Sequence, residues 1–143
     1  MLTHAWVSFK DNMRFLLLLM MTSLFAVEVP EYVMVGILKV ETRSSYREDG
    51  TIKYVDKRRG TSGERGPFQM TYKAFKQIRQ HGEQFWMIEQ DKVLAEDCAR
   101  RYLSWLYENS GHQDWSLTIQ RYNAGPGGRS YSYLEKVLVA SNN

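Results

Sequence analysis

The chain has 143 residues, 43% of them apolar and 13% aromatic, enough for one domain with a core of its own. Its 19 basic and 16 acidic residues leave a formal charge of +3, too mild to imply nucleic acid and sufficient only for weak attraction to an acidic polymer. The single Cys98 excludes a disulfide scaffold, and His4, His81 and His112 are too scattered for a Cys/His metal centre.

Phe15 to Val27 reads FLLLLMMTSLFAV, with Arg14 before it and Glu28 after. As a helix this run spans roughly 20 Å, short of a hydrocarbon core of about 30 Å. A positive residue, a short leucine-rich run and the small Ala26 at its end have the pattern of an export signal. The expectation is a signal peptide over 1–26 and a domain over 27–143, periplasmic or secreted. Met13 offers a second start. A buried first helix competes with this reading. So does an uncleaved segment that holds the chain at the membrane.

Pro30 suits a helix start, and PEYVMVGILKVET places Val33, Ile37, Val40 and Glu41 on adjoining faces at helical spacing. Glu41 thus ends an apolar stripe. The polar stretch from Ser44 to Gly66 carries the hairpin signal Asp49-Gly50, and a short β-ribbon is expected over 49–55. The basic run Lys57, Arg58 and Arg59 follows, then a glycine-spaced loop.

Thr71 reads as the cap of a helix that turns Ala74, Phe75 and Ile78 inward. One long helix is expected from Phe85 to Asn109, its stripe formed by Leu94, Cys98, Tyr102 and Leu106. Asp114 caps the next, which runs to Asn123 and breaks at AGPGG. Ser132 with Glu135 has the pattern of a capping box for a last helix packed through Leu134, Val137 and Leu138. Trp86, Trp105, Trp115 and Tyr131 read as core aromatics. The pattern is α+β and predominantly helical.

Three islands carry chemistry. The first is Lys39-Val40-Glu41-Thr42, a carboxylate closing an apolar helix. The second is Gly63-Glu64-Arg65-Gly66-Pro67-Phe68-Gln69-Met70. The third is Arg121-Tyr122-Asn123-Ala124-Gly125-Pro126-Gly127, with Tyr133 and Val137 following in the last helix. In this order, over residues 30 to 140, they resemble the lytic transglycosylase domain. The resemblance implies a lysozyme-like fold, as in goose-type lysozymes, with a small β-ribbon. The small exported or phage-encoded members of that family are the most similar in plan. Thr42 stands where the family usually has serine, and Pro67-Phe68 replace Leu-Met. The Glu41–Gln69 interval of 28 residues is long for the family, and the ribbon accounts for the excess.

Glycosidic cleavage near neutral pH needs an acid that keeps its proton, and apolar surroundings favour the neutral carboxyl. Glu41, beside Ile37, Leu38 and Val40, has that address. The competing reading is a solvated glutamate paired with Arg43 or Arg47. A hydrolase of the ordinary kind needs a second carboxylate. Asp49, Asp56 and Glu64 lie in the right loop, where Glu64 reads as a loop residue bound to Arg58, Arg59 or backbone N–H groups.

The resemblance implies that Glu41 alone suffices, as acid and then base, on the bond between N-acetylmuramic acid and N-acetylglucosamine. A 1,6-anhydro ring is the implied product. Gln69, Tyr122, Asn123 and Phe68 are the implied substrate contacts, with Thr61 and Ser62 as candidates for a further polar contact. Tyr122 is expected to reach Glu41 or the sugar's acetamido group. The implied partner is peptidoglycan; no nucleic acid, metal or organic cofactor is implied. A muramidase using water and an idle glycan-binding or assembly module are the competing functions.

Overall fold

The computed structural model describes residues 27–57 and 59–143, so the expected export signal over 1–26 and Arg58 lie outside the described residues. The described chain is mostly helical, with one small sheet. Helix α1 (Glu31–Thr42) leads to strands β1 (Ser45–Tyr46) and β2 (Ile52–Lys53). Helices α2 (Tyr72–Ile78), α3 (Met87–Gln90), α4 (Lys92–Asn109), α5 (Trp115–Ala124) and α6 (Tyr131–Ser141) follow. Among the described residues no helix is long and apolar enough to cross a membrane.

Val33, Met34, Ile37 and Leu38 of α1 are fully buried, each worth about 1.5–3 kcal/mol of transfer free energy. The most extensive helix contact sets α1 against α6. Gly36 makes that approach possible: a Cβ there would lie 2.5 Å from the Val137 carbonyl oxygen. The helix ends at Thr42 because Arg43 turns left-handed at φ 56°, its N–H returning to the Lys39 carbonyl. Glu41 is thereby left at the end of a buried, tightly seated rod.

The ribbon is real but shifted. β1 and β2 pair antiparallel, Tyr46 opposite Ile52, so the sheet starts at Ser45, ahead of the expected span, and Asp49-Gly50 forms the turn between the strands as its hairpin signal implies. The Asp49 carboxylate accepts from the Thr51 N–H and hydroxyl, which closes that turn. Arg47 gives its guanidinium to Thr51 and the Ile52 carbonyl, so it serves the hairpin. Lys92 tethers the hairpin to α4 through the same Ile52 carbonyl.

The single helix expected over 85–109 is broken. Asp91 leaves the helical region and its carboxylate accepts from the Val93 and Leu94 N–H groups, so it stops α3 and caps α4. The expected α4 stripe does pack: Cys98, Tyr102 and Leu106 are buried, and Leu94 lies against them. Burial pushes the Cys98 thiol up to about 11, which keeps it neutral. Arg101 ties α4 to the end of α2, donating to the Ile78 carbonyl at 2.5 Å and to Glu83 at 2.6 Å.

Thr71 and Asp114 cap α2 and α5, accepting from Ala74 and Ser116. The Ser132–Glu135 box does not form, because α6 already begins at Tyr131. The N–H of Ser130 is instead taken by the side-chain oxygen of the buried Gln120 on α5. Leu138 is largely outside the α6 interface, where Tyr133 and Val137 are buried. Trp105 and Trp115 pack against the core, whereas Trp86 and Tyr131 are 50% and 66% exposed.

Candidate active site

Glu41 is half-buried, and its Oε1 accepts a 2.6 Å hydrogen bond from the Tyr133 hydroxyl, 92 residues away on α6. The Gly36–Val137 contact sets the register for this bond. One turn before Val137, the antiparallel α6 brings Tyr133 to the end of α1, where Glu41 stands. Burial first, and then the Glu41 charge, push the Tyr133 and Tyr122 hydroxyls well above the ordinary phenol value of 10. Both therefore remain protonated, and Tyr133 is a permanent donor to the carboxylate.

Tyr122 takes a different partner from the one expected. Its hydroxyl donates to the Phe68 carbonyl at 2.8 Å, so it braces the turn after Gly66 rather than the Glu41 carboxyl. That turn is closed by a short bridge in which Arg65 and Met70 exchange both backbone hydrogen bonds, at 3.0 and 2.9 Å. Gly66 is required within it: its φ is +76°, and a Cβ would lie 2.5 Å from the Ile88 carbonyl oxygen.

Gln69 is also left-handed, at φ 46°, a conformation that costs a non-glycine residue energy and is held here by its surroundings. Both its backbone N–H and its side-chain amide donate to the Gly66 carbonyl at 3.0 Å. Phe68 is in the core at 1% exposure, so its ring does not join the site and only its carbonyl serves it.

Thr42 joins the two halves of the site. Its buried hydroxyl lies 2.8 Å from the Pro67 carbonyl and 2.8 Å from the Ser44 hydroxyl. A carbonyl only accepts, so the Thr42 proton goes to Pro67 and Ser44 donates to Thr42. Ser44 in turn accepts from the Val55 N–H at 3.0 Å. Hairpin, the end of the Glu41 helix and turn are thus linked through two hydroxyls.

A cavity of about 350 Å³ opens between these elements, walled by Glu41, Arg59, Thr61, Glu64, Gln69, Tyr122 and Asn123 among others. A second, of about 460 Å³, shares Gln69, Thr71, Tyr122 and Asn123 with it and extends past Ser62 to Trp105 and Lys73. The two form one cleft. Five of the residues expected to matter, Glu41, Thr61, Gln69, Tyr122 and Asn123, meet in the first cavity, and Ser62 lines the second. Asn123 lies inside α5, which ends one residue later at Ala124, and it is exposed to the cleft. Trp105 stacks almost parallel on Tyr102, ring centres 6.0 Å apart, and both line the second cavity as an aromatic wall.

Two residues of the site escape a reading along the chain. Tyr133 carries a signal only as part of the last-helix pattern, with no mark of its partner. Glu64, expected as a loop residue, does bind a loop N–H, that of Ser62 at 3.0 Å, but it also faces the Glu41 cavity. Arg59 gives its guanidinium to Glu89, at 2.7 and 3.1 Å, rather than to Glu64. Lys57 lies over the Tyr54 ring. Among the described residues no group of three or more His, Cys, Asp or Glu side chains could hold a metal ion.

Comparison with family models, with curated proteins and with solved structures found no match.

Proposed function

We propose that the chain is a peptidoglycan lytic transglycosylase with a lysozyme-like fold, in which Glu41 acts first as acid and then as base. The observation that carries this reading is the half-buried Glu41 carboxylate at a helix end, held by the Tyr133 hydroxyl and facing a cleft with Gln69, Tyr122 and Asn123. In the first step the Glu41 proton passes to the glycosidic oxygen and the bond from C1 of N-acetylmuramic acid to that oxygen breaks. The acetamido oxygen of the same sugar closes on C1. In the second, the C6 hydroxyl attacks C1, the acetamido bond breaks, and the hydroxyl proton returns to Glu41. No water is consumed and the acid is regenerated.

Tyr133 suits both steps. As a neutral donor it orients the carboxyl without adding a charge. The cleft runs along Gln69, Tyr122 and Asn123 toward Trp105 and has an aromatic wall of the kind on which sugar faces stack. An apolar run with Arg14 before it and Ala26 at its end supports export to the compartment where peptidoglycan lies.

Mass spectrometry of a peptidoglycan digest tests the reaction. Muropeptides ending in 1,6-anhydro-muramic acid are expected. Reducing muramic acid ends without anhydro ends would replace the proposal by a muramidase, and binding without release would replace it by an idle glycan-binding module. Glu41→Gln should lower the rate by about 10³-fold, since one group serves both proton transfers.

A further inference from the structure

We propose that Glu64 is a second working carboxylate of the cleft, one that stabilises the positive charge the reacting sugar acquires as the glycosidic bond breaks. This rests on the glycosidic cleavage proposed above and adds a group to it.

Glu64 and Glu41 wall the same cavity of about 350 Å³. The Glu64 side chain is half-buried, and the loop is built around it. Its Oε2 accepts the Ser62 N–H at 3.0 Å. The Gly60 N–H returns to the Glu64 carbonyl at 2.9 Å, and the Gly63 N–H returns to Gly60 at 3.0 Å. The carboxylate folds so closely over Gly60 that any Cβ at that position would collide with it.

Among the described residues no cation pairs with the Glu64 carboxylate. Arg59, the cation on the same cavity wall, commits Nε and Nη2 to Glu89. Arg65 lies 3.7 Å from Glu89 and over the Phe85 ring.

The chemistry has a use for that charge. The bound sugar is neutral at its reacting centre. As the C1–oxygen bond breaks, positive charge spreads over C1, the ring oxygen and the closing acetamido group. A fixed carboxylate in the cavity wall lowers the energy of that state while gaining little from the ground state, so it acts on kcat and not on KM. No bond forms to Glu64 and no proton reaches it.

The experiment uses full-length protein and a soluble oligosaccharide of alternating N-acetylglucosamine and N-acetylmuramic acid. Glu64→Gln keeps the length of the side chain and an oxygen to accept the Ser62 N–H, and removes only the charge. The expected result is a fall in kcat of about tenfold or more, with KM and the thermal midpoint held. Glu64→Asp, which keeps the charge on a shorter arm, should retain more activity than Glu64→Gln. A purely loop-ordering role reverses that order, with the glutamine tolerated and the aspartate not.

An unchanged kcat in Glu64→Gln overturns the proposal. So does the loss of reducing-end products alone with anhydro products intact, which would make Glu64 the base for a water molecule. A wild-type chain that cleaves no glycan overturns the glycosidase reading itself, and the role of Glu64 with it.

Discussion

On one side of the cleft Glu41 stands on α1, whose inner residues are fully buried and whose Gly36 is pressed against the Val137 backbone of α6. On the other, Thr61, Ser62 and Glu64 stand on a loop held by backbone returns to Gly60 and Glu64 and by the Arg59–Glu89 clasp near its start. The helical wall has dense apolar packing behind it, and a displaced atom there has nowhere to go. The loop wall is polar, half open and held by hydrogen bonds that water can replace. In the proposed cleavage, an acid that must meet a glycosidic oxygen gains from the first kind of support, and groups that must admit a long polymer gain from the second. Thr42 is where the two are joined, through its bond to Pro67.

For stability, the contrast predicts that damage to the helical wall is costly and damage to the loop wall mild. Gly36→Ala should be the most disruptive change. Its methyl meets backbone, so α1 and α6 must separate, at a cost of about 1–3 kcal/mol. Chemical denaturation should show the lower midpoint, and activity should fall further than stability because the Tyr133–Glu41 register is lost with it. A midpoint like that of the wild type would mean that the helices accommodate the methyl.

Tyr133→Phe sharpens the same point, since it keeps the ring and deletes only the donor to Glu41. A fall in kcat of about tenfold is expected, with a stability loss of about 1 kcal/mol, read by steady-state kinetics beside thermal melting. Thr42→Val tests the joint between the walls. The buried Pro67 carbonyl would lose its hydroxyl donor, at a cost of about 1–2 kcal/mol, whereas Thr42→Ser should be nearly neutral. Equal melting temperatures for the two variants would remove the joint from the account.

The smallest effect belongs to the loop clasp. The hydrogen bonds from Arg59, with its charge and that of Arg65, outweigh burial and hold the Glu89 carboxyl below its ordinary value of 4.5. A carboxyl depressed in the folded state contributes stability above its unfolded pKa, and that contribution is lost as pH falls through the folded one. Glu89→Gln should therefore matter slightly at neutral pH and cease to matter in acid well below 4.5. Arg59 is mostly exposed, so the effect is expected to be small and further reduced by salt. Denaturation at neutral pH with and without added salt, and again in acid, measures it.

Read along the chain, the local features were legible. Thr71 and Asp114 cap the helices expected of them because a cap bonds to N–H groups two or three residues away. The hairpin turn at Asp49-Gly50 and the break after Asn123 were legible for the same reason. The stop at Asp91 was not, although aspartate is a good cap. The apolar spacing carries on across it, and periodicity outweighed the one polar residue that divides α3 from α4. The Ser132–Glu135 pattern misled in the opposite sense: a local box was written there, but Gln120 of the neighbouring helix supplies the acceptor two residues earlier, at Ser130.

For the cleft, the sequence by itself determined which residue types were available and which of them sat at element ends: Glu41 closing an apolar helix, Gln69 in a glycine-led turn, Tyr122-Asn123 before a glycine break. These depend on spacing and backbone preference, which are properties of neighbours in the chain. Only the tertiary structure decided who touches whom. It gave the Glu41 carboxyl to Tyr133 rather than Tyr122, put the Phe68 ring in the core with its carbonyl toward Tyr122, and turned Glu64 into the cavity. The first of those choices follows from how closely α6 can lie on α1. That distance is set where Gly36 meets Val137, two residues 101 positions apart that only the packed core brings together.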